Sequence, residues 1–261
     1  MSTAELRSHL RWLADTYERV QAIRIEAGER IRAVVQGRTA GVHDDVPPAG
    51  PCAATVLAQI RSGTSYGPVP VLGLTYRVHC VEEQRLRAAM SDALEAHTAW
   101  PWLRRVKGMG PTLAAKLLSR LDIDRAPTPS SFWAYCGLAT VPAADGRRMA
   151  QPRARRGEMP VYDRYARRVC YQSACALLRA GGAYASYYRR ERIKLDNCRC
   201  EWTRGHRHMA ALRKTEKLLL AHLWVVWAEQ AGVPVCRPYV CVMPRFRAGY
   251  IDPSTMIKPP T

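Results

Sequence analysis

The 261-residue sequence lacks any apolar run long enough to cross a membrane. Its longest such run, residues 218–228, has eleven residues and includes His222, whereas a membrane-spanning helix needs about 20. The first residues also lack the apolar stretch and the small-residue cleavage site of a signal peptide. We therefore expect a cytoplasmic protein that does not bind membranes.

The sequence also lacks a disulfide framework, because its nine cysteines are odd in number and irregularly spaced. One group suggests a metal: Cys198 and Cys200 precede His206 and His208, and these are the ligand types of structural zinc. Paired zinc ligands usually have two to four residues between them, whereas each of these pairs has only one. We favour a histidine contact to phosphate, or packing at a helix start, over zinc. No metal is assigned and no cofactor is expected.

Acidic residues are scarce, with 22 against 40 basic residues, a net charge of +18 and a pI near 10. Residues 1–100 are neutral, with eleven residues of each sign. Residues 101–217 have twenty-five basic and nine acidic residues, a net charge of +16. Because a solvated surface normally mixes both signs, this segment favours a nucleic-acid partner, DNA in the first place.

A heptad stripe predicts a long amphipathic helix over residues 1–40. Its apolar residues recur at alternating four- and three-residue steps, and they are Leu6, Leu10, Leu13, Tyr17, Val20, Ala27, Ile31 and Val34. Such a stripe can pair with a second copy as a coiled coil, or it can pack on its own chain. We favour the first alternative and expect a homo-oligomer formed through this helix.

The remaining periodicity predicts a mainly α-helical protein, and the composition, 48% hydrophobic and 24% charged, is that of a globular chain. Residues 41–99 are expected to form a linker and a connecting helix, with one or two short strands over residues 69–78. Residues 100–232 should form a helical domain. Residues 233–261 should form an extended, proline-rich tail, because proline interrupts helices.

Residues 103–118 have the pattern of a helix-hairpin-helix. Gly108 and Gly110 permit a tight turn, and Ala114 permits close packing of the second helix. Backbone N–H groups at the start of that helix can then approach a phosphate with no Cβ in the way. Such a module binds the DNA backbone without reading its sequence. The alternative is a glycine-bearing turn that only joins two packed helices.

Basic residues near the hairpin, in an arginine-rich stretch and in the last helix complete the predicted interface. The arginine-rich stretch has no acidic counter-charge and suits contacts with a DNA or RNA backbone. The predicted DNA-binding residues are Arg104, Arg105, Lys107, Gly108, Gly110, Thr112, Lys116, Arg147, Arg148, Arg153, Arg155, Arg156, His206, His208, Arg213, Lys214 and Lys217.

The order of these features resembles the C-terminal domain of the IS110/IS116/IS902 transposase family. The resemblance covers about residues 100–240 and rests on the hairpin, the Ala-Tyr-x-Gly-Leu segment at 134–138, the basic stretch at 146–157, and a late helix with Ala210, Arg213, Lys214 and Lys217. It implies a DNA-binding transposase or recombinase of a mobile element. In studied members of the family a coiled coil supports oligomers and an RNA guides target choice, which makes RNA a further expected partner.

The resemblance also implies two catalytic centres that these residues do not supply. The family has a RuvC-like nuclease domain with four acidic metal ligands, but residues 1–100 are too short for one and show no carboxylate cluster. The family's nucleophilic serine lies in a Ser-Gly setting, where residues 143–146 are Ala-Ala-Asp-Gly, and aspartate cannot replace that nucleophile. Ser130, Ser131 and Ser173 are alternatives on predicted helices. Catalysis is therefore left open, and a non-catalytic nucleic-acid-binding accessory or domesticated factor is the alternative function.

Overall fold

The computed structural model describes residues 2–37, 52–142, 148–151, 157–234 and 250–258. Within these ranges the chain forms nine α-helices and one two-stranded sheet, so the predicted mainly α-helical class is confirmed. The helices are α1 (Thr3–Val35), α2 (Ala53–Ser62), α3 (Pro70–Leu94), α4 (Trp100–Leu103), α5 (Pro111–Leu118), α6 (Pro129–Tyr135), α7 (Arg164–Ala180), α8 (Ala183–Cys198) and α9 (Arg204–Gln230). None of them, over the described residues, is long and apolar enough to span a membrane.

The sheet is an antiparallel pair of three-residue strands, β1 (Thr140–Pro142) and β2 (Arg148–Ala150). Thr140 pairs with Ala150, and Pro142 pairs with Arg148. A single turn of 3₁₀ helix, Pro253–Met256, lies in the described part of the tail.

Packing divides the chain into two compact units. The small unit is Arg11–Asp92, and the large unit consists of Met1–Leu10 together with Ala93–Thr261. In the small unit, the apolar faces of α1, α2 and α3 form one core. Its buried members are Ala27, Ile31, Val56, Leu57, Ile60, Tyr76 and Cys80.

The heptad stripe of α1 is buried within the single chain. Leu10, Leu13, Tyr17 and Ile31 are each at most 2% exposed, so these side chains already have apolar surroundings. The long helix is confirmed, but the structure favours the second of the two alternatives for its stripe. Self-association through this stripe finds no support, because its buried residues are not available to a second copy.

The prediction of short strands over residues 69–78 is wrong, because α3 begins at Pro70. A proline at the first position of a helix has no N–H to lose and already has a helical φ. Gly73 lets the first turn of α3 lie against the preceding loop, since a Cβ at this position would be 2.1 Å from the Tyr66 carbonyl oxygen. The two residues that seemed to weaken a strand therefore start a helix.

The core of the large unit is built around α9, which packs against α6, α7 and α8. Trp224 is fully buried on α9, and its Nε1 donates a hydrogen bond to the Ala126 carbonyl oxygen at 2.6 Å. His222 accepts from the Tyr184 hydroxyl at Nδ1 (2.8 Å) and donates from Nε2 to the Ile251 carbonyl oxygen (2.9 Å). The final helix is thus a buried helix, as its apolar circumference predicts.

The described part of the tail packs on the large unit. Trp102 Nε1 donates to the Pro253 carbonyl oxygen at 3.3 Å. Arg105 donates to the Lys258 carbonyl oxygen through Nε (3.0 Å) and one Nη (2.7 Å), and the Lys258 N–H donates back to the Arg105 carbonyl oxygen. Residues 250–258 are therefore held as a strap across α4 and the turn that follows it.

Candidate nucleic-acid interface

The predicted hairpin consists of the short helix α4, a turn over residues 104–110, and α5. Gly108 has φ +106°, a conformation that side-chain-bearing residues rarely adopt. A Cβ on Gly108 would lie 2.9 Å from the Ala176 carbonyl oxygen and 3.0 Å from the Ala180 Cβ. Gly108 therefore lets the turn pack on α7, which is a reason different from the phosphate approach proposed for it from the sequence.

Gly110, unlike Gly108, lies at the surface of the hairpin. It is the N-cap of α5, it is exposed, and no atom of the described residues lies within 4 Å of where its Cβ would be. Pro111 follows as the first helical residue and has no N–H, so Thr112 and Leu113 supply the first N–H groups of α5. No side-chain cap to this helix start is present among the described residues. Gly110 is thus the glycine that leaves space for a ligand.

A second glycine turn lies beside the hairpin, between α7 and α8. The Lys107 Cβ is 3.0 Å from where the Cβ of Gly182 would be, so the two turns are in contact. Gly182 is the N-cap of α8, and this helix start too has no side-chain cap in the described ranges. Gly181 is exposed, and the part of the chain that the structure describes places no atom within 4 Å of where its Cβ would be. Arg179 is exposed in the last turn of α7. We call Lys107, Gly110, Arg179, Gly181 and Gly182 the turn surface.

Several basic residues predicted to contact DNA near the hairpin have contacts within the chain. Arg104 is exposed, 3.9 Å from a Glu95 carboxylate oxygen. Arg105 holds the strap through the Lys258 carbonyl oxygen. Lys116 is only 6% exposed, and Thr112 is half-buried. Lys107 is left as the predicted hairpin cation with an exposed side chain beside an open helix start.

The predicted cations of α9 also face groups of the large unit. Lys214 Nζ donates to one oxygen of buried Glu191 at 2.6 Å, and Lys194 Nζ donates to the other at 2.9 Å. Burial disfavours the charged form of Glu191, but the hydrogen bonds from both lysines outweigh burial and lower its pKa. Lys217 Nζ lies 4.2 Å from the centre of the Trp133 ring, a cation–π contact.

Arg213 lies beside Glu216, a buried carboxyl on the same helix. Arg167 Nη1 is 3.3 Å from Glu216 Oε2. Burial raises the pKa of Glu216 to about 7, although Arg167 and Arg213 favour its charged form. These contacts help to join α7 to α9, so part of the positive charge of residues 101–217 serves the interior of the large unit.

The two histidines of the zinc alternative have other partners. His206 stacks on Trp202 with ring centres 4.0 Å apart and planes 3° from parallel. His208 Nδ1 is 2.5 Å from the Tyr188 hydroxyl. Cys198 and Cys200 are exposed, and no group of three or more His, Cys, Asp or Glu side chains in the described part of the chain could hold a metal ion. The contacts of the histidines match the packing alternative.

Most of the arginine-rich stretch lies outside the described residues, namely Arg147, Arg153, Arg155 and Arg156. Arg148 begins β2 and pairs with Pro142 through the backbone. The prediction that this stretch contacts nucleic acid therefore stays a prediction.

The Ala-Tyr-x-Gly-Leu segment connects α6 to the start of α7. Gly137 has φ +65° and follows the C-cap of α6, and the Leu138 N–H donates to the Trp133 carbonyl oxygen at 2.7 Å, so this glycine ends α6. The Tyr135 hydroxyl donates to Asp163 Oδ2 at 2.9 Å, while Asp163 Oδ1 accepts from the Ala166 N–H and caps α7. This segment positions α7, and through α7 the turn surface.

The three serines considered as nucleophiles lie in different surroundings. Ser173 is fully buried on α7, and its Oγ has no hydrogen-bond partner among the described residues. Ser130 is exposed and Ser131 is half-buried in the first turn of α6. The Ser131 hydroxyl lies 3.4 Å from that of Thr128, the N-cap residue of the same helix. Ser173 is therefore inaccessible to DNA in this conformation, whereas Ser130 is not.

Arg179 and the Gly181-Gly182 turn were not part of the predicted site. The sequence marks the glycine pair only as an end of two helices. Their approach to Lys107 depends on a contact between residues more than seventy positions apart, which no local pattern shows. The one available signal was a basic residue, Arg179, two positions before a glycine pair that opens a helix.

Comparison with known proteins identifies a family match that covers the hairpin and the second glycine turn. Residues 101–189 match the model of the Transposase IS116/IS110/IS902 family. The matched segment begins within α4 and ends within α8, so it contains the whole turn surface. The resemblance recognised in the sequence is thereby confirmed for this segment.

Two curated relatives are insertion-element proteins. The chain is 27% identical over 222 residues to the "Insertion element IS900 uncharacterized 42 kDa protein" of Mycobacterium paratuberculosis, which covers 82% of this chain and 51% of that protein. It is 30% identical over 167 residues to the "Insertion element IS110 uncharacterized 43.6 kDa protein" of Streptomyces coelicolor strain ATCC BAA-471 / A3(2) / M145, covering 63% of this chain and 38% of that protein. The chain thus spans about half or less of each relative's length. No solved structure matches it significantly.

Proposed function

We propose that the large unit binds duplex DNA through the turn surface, as part of a transposase-like protein of a mobile element. The observation that carries this proposal is the contact between the two glycine turns, in which Lys107 of the turn before α5 lies against Gly182, the N-cap of α8. The family match of residues 101–189 to transposases supports DNA as the ligand.

The physical basis is the surplus of hydrogen-bond donors at a helix start. The first N–H groups of an α-helix have no partner within the helix, and the helix dipole adds partial positive charge there. Phosphate oxygens satisfy both, and a nearby lysine or arginine adds a full charge. Gly110 and Gly181 leave room for a phosphate at each turn. Contacts of this kind hold the backbone in place and do not read bases.

Two exposed cations of the turn surface provide the test. We expect Lys107→Ala combined with Arg179→Ala to weaken binding of a 20-base-pair duplex about tenfold at moderate salt. The slope of log affinity against log salt concentration should become shallower by about two, since each lost phosphate contact removes about one unit. Fluorescence anisotropy over a salt series measures both quantities.

The matched control is Arg30→Ala combined with Arg85→Ala, which removes the same charge from exposed positions of the small unit. It should retain wild-type affinity within about twofold and an unchanged salt slope. Equal effects of the two double variants would show that only net charge matters, and the turn surface would then not be the interface. Single-stranded RNA of the same length, measured in parallel, shows whether RNA competes for this surface.

Strand transfer is tested separately from binding. A covalent protein–DNA species formed in the presence of Mg²⁺ would support a catalytic transposase, and Ser130 is the exposed serine to change first. Binding of DNA, seen as retarded migration in a gel, without any covalent species or strand break would support a non-catalytic accessory factor. The salt-dependent binding expected above is common to both outcomes.

A further inference from the structure

The small unit contains a cavity that the DNA interface does not use. Its volume is about 200 Å³, and it is open to solvent. All three helices of the unit contribute to its lining, which consists of Arg24 from α1, Arg61 from α2, and Cys80, Glu83, Gln84 and Arg87 from α3. Three guanidinium groups therefore face one carboxylate, an excess of two positive charges.

Both oxygens of the Glu83 carboxylate accept hydrogen bonds. Its Oε1 accepts hydrogen bonds from the Tyr17 hydroxyl (2.9 Å), Gln21 Nε2 (3.1 Å) and Arg87 Nη2 (2.6 Å), and its Oε2 accepts from Arg24 Nε. Burial opposes the charged form of Glu83, but the hydrogen bonds from Tyr17, Arg24 and Gln21 outweigh burial and lower its pKa. The carboxylate thus orients two arginines and has little capacity left to neutralise a third.

The third arginine has a neutral partner. Arg61 Nη2 donates to the Tyr76 hydroxyl at 2.9 Å, a bond that positions the guanidinium without cancelling its charge. Arg24 uses its Nε on Glu83, and the residue also lines the cavity. Guanidinium groups from three different helices therefore surround one small space.

We propose that this cavity is a binding site for a phosphate group. Guanidinium forks match the geometry of phosphate oxygens and bind them bidentately. The excess of two positive charges equals the charge of a phosphate dianion. The volume lies below the roughly 300–1,000 Å³ of sites that enclose whole drug-sized ligands, so it suits a free phosphate-sized ion or the phosphate of a larger molecule.

Arg61→Gln is the decisive variant. Arg61 is exposed and is not bonded to Glu83, so its replacement removes a ligand-facing charge and leaves the Glu83 cluster in place. Arg85→Gln is the matched control, because Arg85 is an exposed arginine of α3 that does not line the cavity. Binding to the full chain is measured by titration calorimetry at low salt, with circular dichroism as the check on folding.

Two probes distinguish the source of the phosphate. Inorganic phosphate tests a free ion, and a short oligonucleotide with and without a 5′-phosphate tests the terminal phosphate of a strand. For whichever probe binds, Arg61→Gln should weaken affinity at least tenfold and Arg85→Gln less than twofold. Arg61→Lys should recover part of the loss, because it restores the charge without the fork.

The proposal is overturned if neither probe binds with saturation, or if Arg61→Gln and Arg85→Gln reduce affinity equally. A second variant provides an independent check, because Arg61→Gln combined with Arg87→Gln must abolish binding. These outcomes do not depend on the turn surface, since the cavity residues all belong to the small unit. Loss of duplex binding in the Lys107 and Arg179 variant leaves the phosphate titration unchanged.

Discussion

Gly108→Ala should lower the free energy of unfolding of the large unit by about 3 kcal/mol, whereas Gly110→Ala should change it by less than about 0.5 kcal/mol. The first substitution forces a side chain into a positive φ, which costs about 1–2 kcal/mol. Its Cβ would also meet the Ala176 carbonyl oxygen at 2.9 Å, and overpacking of this kind costs a further 1–3 kcal/mol or so. The second meets open space at φ −83° and ψ 168°, an ordinary extended conformation.

The same two variants separate packing from binding. Gly110→Ala places a methyl group where the phosphate approaches the start of α5, so DNA affinity should fall about fivefold while stability is retained. Urea unfolding followed by tryptophan fluorescence reports mainly on the large unit, which contains six of the seven tryptophans. Full stability of Gly108→Ala would contradict the contact with α7. Unchanged affinity of Gly110→Ala would remove the start of α5 from the interface.

This pair of glycines also shows where sequence reasoning reached its limit. The hairpin pattern correctly locates two helices joined by a glycine turn, because glycine, proline and apolar spacing are local signals. It gave both glycines the same role. Only the approach of α7, sixty-five or more residues further along the chain, makes Gly108 a packing residue and leaves Gly110 open.

The heptad stripe of α1 illustrates a second limit. Periodicity correctly predicts the helix and its apolar face, but not which surface covers that face. Burial of Ile31 within the chain decides this, and it depends on apolar residues of α2 and α3. The helix α2 was not predicted, although Val56, Leu57 and Ile60 have helical spacing and Gly63 follows its end in a left-handed conformation. Ten residues after a proline-rich segment are too few for a strong periodic signal.

Acidification should destabilise the large unit through two buried histidines. Burial lowers the pKa values of His97 and His222 from 6.5 to about 4. His97 accepts from the Ala99 N–H and lies edge-on to the Trp227 ring at 4.7 Å. His222 donates to Ile251 and accepts from Tyr184. Both rings are therefore neutral in the folded chain, and protonation would charge a buried group or break the bond from Tyr184.

The direction of this pH effect follows from the number of protons that the folded and the unfolded chain bind. Between pH 6.5 and pH 4 the unfolded chain binds protons at these histidines and the folded chain does not, so stability falls as the pH falls through this window. Each of these pKa shifts changes the free energy of unfolding by about 3 kcal/mol, because one pKa unit corresponds to about 1.4 kcal/mol. Glu216 acts in the opposite direction. Its pKa is raised from 4.5 to about 7 in the folded chain, so its contribution is present below pH 4.5 and is lost as the pH rises to 7.

The two histidines destabilise the folded chain as the pH falls, whereas Glu216 stabilises it. The free energy of unfolding should therefore fall by about 3 kcal/mol between pH 7 and pH 4. His222→Gln should lower stability at pH 7, because the amide cannot reproduce both hydrogen bonds, yet it should flatten the pH dependence by about 3 kcal/mol. Glu216→Gln should steepen the loss of stability in acid, since it removes the carboxyl group whose raised pKa stabilises the folded chain there. Urea unfolding at half-unit pH intervals measures both slopes. Parallel curves for the wild type and both variants would show that other groups control acid stability, whereas opposite changes in slope would assign it to the interior that holds α7, α8 and the strap against α9.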